Sequence, residues 1–102
     1  MKIEFEIENK KYTLEYSRDS IRKLEDRGYN FQELESKPIT MMSVLFFGAL
    51  LKHQPETNLE QSDELYKQVA DDALMAELDN MFADCVKLGA SKNPNVKWKK
   101  VR

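Results

Sequence analysis

KPITMMSVLFFGALLKHQP, residues 37–55, decides the fold. From Met41 to Leu51 the stretch is almost wholly apolar, and wound as a helix its apolar side chains nearly surround the axis. A helix that is greasy on every side is central in its fold or buried against another chain. That length of helix rises only about 16 Å, roughly half the thickness of a bilayer core, so the stretch reads as a buried helix and not as a membrane span. Pro38 is expected to break the chain, Thr40 to cap the helix, and Pro55 to end it at about His53. Gly48 lowers intrinsic helix stability by about 1 kcal/mol relative to alanine, which a close helix crossing at that point would explain.

On the N-terminal side, Ile3, Phe5 and Ile7 alternate with Glu4 and Glu6, and Tyr12, Leu14 and Tyr16 repeat the pattern. Two period-2 runs around the polar stretch Glu8-Asn9-Lys10-Lys11 predict an antiparallel hairpin, and Asn9 tolerates the left-handed backbone of a turn. A lone hairpin is marginal in water, so its apolar face must lie against a later part of the chain. Ser17 is expected to cap a helix over residues 18–27, with Ile21 and Leu24 facing inward and Gly28 as the stop. Asn30 is a candidate cap for a short turn through Phe31, Glu33 and Leu34.

On the C-terminal side, Asn58 or Ser62 can start a helix carrying Leu65, Tyr66 and Val69. Asp71 or Asp72 can start another, with Leu74, Leu78, Met81, Phe82, Cys85, Val86 and Leu88 at 3- and 4-residue spacing and Gly89 as its end. One bent helix over the whole stretch fits equally well. The last segment, ASKNPNVKWKKVR, is short and basic and is broken by Pro94, which allows an edge strand or an extended tail. The expected fold is α+β: an N-terminal antiparallel hairpin packed on a mostly helical bundle of four to five helices. One domain over residues 1–90 is expected, with a short basic tail over 91–102.

The composition is that of an ordinary globular chain of 102 residues, 41% hydrophobic and 33% charged. Net charge is −2, but it is unevenly spread: Glu56 to Asp84 holds nine acidic residues and one basic, Lys67, whereas Lys87 to Arg102 holds six basic and no acidic ones. Such asymmetry suggests attraction between copies or toward a charged partner, set against the plainer reading of a solvated helix face and a frayed tail. A single cysteine, Cys85, excludes an internal disulfide and fits a reducing compartment. The N-terminus, MKIEFEIENKK, carries no apolar run after its first lysine and is not a secretory signal.

No catalytic constellation emerges. His53 is the only histidine and is accounted for by the helix C-terminus it adjoins. Cys85 lies on an apolar stripe beside Asp84, an environment for core packing and not for a reactive thiol. The pairs Asp63-Glu64 and Asp71-Asp72 lack the spacing of a calcium loop, and no phosphate-binding glycine loop is present, so no metal or cofactor is expected. Two groups remain as candidate partner-binding residues. Met41, Met42, Phe46 and Phe47 suit an adaptable binding surface and suit a core equally well. Trp98 with Lys97, Lys99 and Lys100 fits docking onto protein with an aromatic anchor, or a weak grip on nucleic acid.

The order of parts, IEFEIENKKYTLEYSR, then a short helix ending in RGY, then KPITMMSVLFFGALLKHQP, acidic helices and NPNVKWKK, resembles a family of small phage and prophage proteins of Gram-positive bacteria grouped with siphovirus tail assembly chaperones. The resemblance covers nearly the whole chain and rests on a pattern of elements, not on a catalytic signature. It implies a non-enzymatic protein of the bacterial host cytoplasm that coats the tape measure protein, helps recruit tail tube subunits, self-associates, and is absent from the finished virion. It also implies that a longer, frameshifted product can exist. No membrane contact is expected. The alternatives are a minor structural or adaptor protein of the phage tail and a small nucleic-acid-binding regulator using the basic tail.

Overall fold

Hydrogen-bonding between two short alternating runs begins the chain. In the computed structural model, which describes residues 2–30, 33, 36–87, 95 and 99–101, strand β1 (Ile3–Ile7) pairs antiparallel with β2 (Lys10–Leu14). The register sets Ile3 opposite Leu14 and Phe5 opposite Tyr12. The turn is tighter than the sequence suggests. Only Glu8 and Asn9 form it, with φ of 51° and 69°, and Lys10 and Lys11 already belong to β2. Positive φ at both central residues gives the turn a twist that matches the strands. One face of the hairpin is apolar, and Phe5 joins it to the helices by stacking on Tyr12 at 5.0 Å and lying 6.2 Å from Phe46.

Helix α1 (Arg18–Asp26) starts as expected: Ser17 and Ser20 cap each other's backbone N–H, and Gly28 turns the chain with φ of 92°. Helix α2 spans Pro38–Leu51, and here the sequence reading needs correction. Pro38 does not break the chain; it opens the helix, with Lys37 as N-cap and Thr40 already inside. Proline's fixed φ suits a first turn, where its missing N–H has no partner to lose. The helix closes at Leu51, two residues before His53, and the chain leaves through a Gln54 N–H to Leu50 C=O bond of 2.8 Å.

The acidic stretch forms two helices, α3 (Leu59–Val69) and α4 (Asp72–Val86). Asn58 caps α3 in a box with Gln61, and Asp71 caps α4 by accepting from the Leu74 N–H at 2.8 Å. Ser62 is buried inside α3 and is no cap. The expected end at Gly89 and the turn residues Phe31 and Leu34 lie outside the described residues, as does most of the 91–102 tail.

Everything packs on α2. Leu24 of α1 meets it at Gly48, where an added Cβ would overlap Leu24 Cδ1; the close crossing expected there is present. The Glu15 N–H donates to the Ala49 C=O at 2.9 Å, and the Tyr16 hydroxyl donates to the Leu45 C=O, fixing the exit of β2 to the helix. Tyr66 of α3 meets Phe46 edge-on at 5.6 Å, and Met75, Leu78 and Met81 of α4 complete the core. The fold is α+β, a two-stranded hairpin followed by four helices among the described residues. No described helix is long and apolar enough to cross a membrane.

Candidate functional site

Burial separates the candidate residues of α2. Met41, Phe46 and Phe47 are 2%, 0% and 2% exposed and serve the core, so in this conformation they offer no surface to a partner. The reason is the helix's position: neighbours cover it on several sides, and its bulkiest side chains fill the spaces between them. Met42 is half-buried and does reach the surface. Of the tail candidates, Lys99 and Lys100 are exposed, whereas Lys97 and Trp98 lie outside the described residues.

Met42 is one wall of a groove between the N-terminal half of α2 and the first turns of α4. Pro38, Met42 and Leu45 line it from α2, and Met75 and Ala76 from α4. Asp72 and Asp79 stand on its rim, and the cavity measures about 370 Å³. Pro38, Met42 and Leu45 share a face because they recur at 4- and 3-residue spacing, as do Asp72, Ala76 and Asp79. Ala76 is small, so the floor stays open between two carboxylates. Ile39, next to Pro38, is 88% exposed, an unusual position for a large apolar side chain. Neither Asp72 nor Asp79 has an ion-pair partner among the described residues.

A second constellation joins β2 to the end of α2. Glu15 Oε2 lies 3.0 Å from Lys52 Nζ, and Glu15 Oε1 lies 2.8 Å from His53 Nε2. The bonds from His53 and then Lys52 hold the Glu15 carboxyl below its ordinary range. Nearby, burial, with Asp79 and Cys85 adding to it, raises the Tyr16 hydroxyl well above the usual tyrosine value. Cys85 is a half-buried free thiol on the wall of a small cavity with Glu15, Tyr16, Met81 and Asp84. Among the described residues no three His, Cys, Asp or Glu side chains stand close enough to hold a metal ion.

A domain family of unknown function, DUF5055, matches residues 1–101. The chain belongs to it. Comparison with curated proteins and with solved structures found no match.

In this member of DUF5055, among the described residues, the α2–α4 groove has the chemistry of a binding site: apolar inside, charged at its edge, and open to solvent. Sequence reading finds Met42 but not Met75, Ala76, Asp72 or Asp79. The repeat of two acids either side of an alanine on one face of α4 carries the signal. A larger cleft of about 740 Å³ runs between α1 and the end of α4, lined by Ile21, Glu25, Tyr29, Phe82 and Val86 among others. It is lined by Glu25 and Asn30 as well as apolar groups, and both Asn30 and Val86 lead toward chain outside the described residues.

Proposed function

We propose that this chain is a non-enzymatic tail assembly chaperone of a phage or prophage, acting in the cytoplasm of the bacterial host on the tape measure protein and aiding assembly of the tail tube. The observation that carries the reading is the acid-rimmed apolar groove between α2 and α4, on a molecule whose other large apolar side chains, among the described residues, are mostly spent on its own core. A long amphipathic client helix exposes an apolar stripe that aggregates unless it is covered. A groove of about 370 Å³ takes one or two large side chains of such a stripe, not its whole length. Coverage of a long client therefore needs many copies, each binding weakly and together strongly.

Co-expression with the tape measure protein encoded nearby tests this. The client is expected in the soluble fraction only when the chain is present. Met42→Glu with Ala76→Arg, which places charge in the groove, is expected to return the client to the pellet while the chain itself stays folded. A client that is equally insoluble with and without the chain removes the reading.

A further inference from the structure

We propose that the α2–α4 groove is filled by the basic C-terminal segment of a second copy of this chain, with Trp98 as the anchor. The groove sets the terms for its occupant. It offers an apolar floor made by Met42, Leu45, Met75 and Ala76, room for one or two bulky side chains, and carboxylates Asp72 and Asp79 at its edge. The matching ligand is a short segment with one large apolar group flanked by cations. Residues 96–102 read VKWKKVR, which is that pattern: the chain's only tryptophan set among Lys97, Lys99 and Lys100.

Charge complementarity singles out this occupant. Among the described residues, Asp72 and Asp79 lack ion-pair partners, and so do Lys99 and Lys100. Carboxylates without a described partner line the groove, and ammonium groups without a described partner mark the tail. The described tail residues do not line the groove of their own chain: Lys99 and Lys100 are exposed, and Val101 is 79% exposed. Exchange between two copies satisfies both sets at once, each tail entering the other's groove. Such a reciprocal contact closes on itself as a two-fold dimer. The inference concerns the same groove as the proposed client site, but it does not need the client.

The single tryptophan makes the test direct. In the full chain, Trp98 fluorescence and mass by light scattering are followed together over a wide range of protein concentration. The emission is expected to move to shorter wavelength in step with a rise toward twice 12.0 kDa. Raising the salt to 1 M is expected to weaken the dimer about tenfold, since two or three exposed ion pairs are screened. Asp72→Lys with Asp79→Lys is expected to abolish both changes, and adding Lys99→Glu with Lys100→Glu in that background to restore them. The tail pair Lys99→Glu with Lys100→Glu lies outside every helix and strand. Alone it must also abolish the shift, whatever the groove variants do to folding. A blue-shifted emission that never changes with concentration, in a monomer, means docking within one chain and overturns the proposal. So does a dimer whose tryptophan emits as in water, and so does a dimer indifferent to charge reversal.

Discussion

Gly48 stands where an added methyl would push against the Leu24 side chain. Leu24 is fully buried against it, and Tyr16 Cε1 would be 3.6 Å from any added Cβ. Gly48→Ala gains about 1 kcal/mol of helix propensity but forces an overpacked contact that costs about 1–3 kcal/mol. The expected result is a net loss of about 1 kcal/mol by urea unfolding, turned into a gain of about 1 kcal/mol in a Leu24→Ala background, where the crowding atoms are gone and only the helix propensity remains. A more stable single variant would contradict the crossing. Glu15 makes a different prediction. Its carboxyl is held below its unfolded value of 4.5, so its contribution is present above that pH and is lost as the pH falls through the lowered folded value. Glu15→Gln is expected to lower stability by about 0.5–1 kcal/mol near neutral pH, with the gap to the parent chain closing below about pH 4.5. These two residues differ in legibility. Gly48 announces itself in sequence, because a glycine inside an apolar helix needs a reason. Nothing in the sequence pairs Glu15 with His53, because that contact spans 38 positions and depends on where the hairpin lands.

At the scale of elements, the hairpin is held by an unfavourable turn. Glu8 and Asn9 both occupy the left-handed region, which costs glutamate more than asparagine. Glu8→Asn with Asn9→Gly supplies the pair preferred for this turn and is expected to raise stability by about 1 kcal/mol, measured as a higher denaturant midpoint with an unchanged slope. The alternating strands, the serine cap of α1 and the 3- and 4-residue spacing of α4 are all legible in the residues. Local hydrogen-bonding groups decide those features, and they sit within three or four positions of one another. The start of α2 is harder to read because proline both ends and opens helices, and its role depends on the residues before it. The choice between one helix and two over residues 59–86 is equally hidden: Asn58, Ser62, Asp71 and Asp72 are all competent caps, and packing selects Asn58 and Asp71. The groove escapes sequence reading for the same reason, since half of it comes from α4 and its depth depends on how α4 lies against α2.

For the whole molecule, α2 is the common wall against which the hairpin exit, α1, α3 and α4 are all built. Pairs such as Tyr16 with Phe82, 5.5 Å apart, link the outer elements to one another only over short stretches. The groove floor belongs to this same helix, so an occupant of the groove leans on the part of the fold that yields least. The groove is therefore expected to bind without reshaping the molecule, and its affinity to be set by what enters it.

Such an encased rod keeps its own clock. Backbone hydrogens between Val44 and Leu51, shut off from water on every side, are expected to trade for deuterium last of all, at the pace of complete unfolding. Those of the two strands and of the outer turns of α3 should be replaced long before. If mass spectrometry of quenched fragments finds the 44–51 peptide labelled as early as the hairpin, α2 is not the pillar its packing makes it.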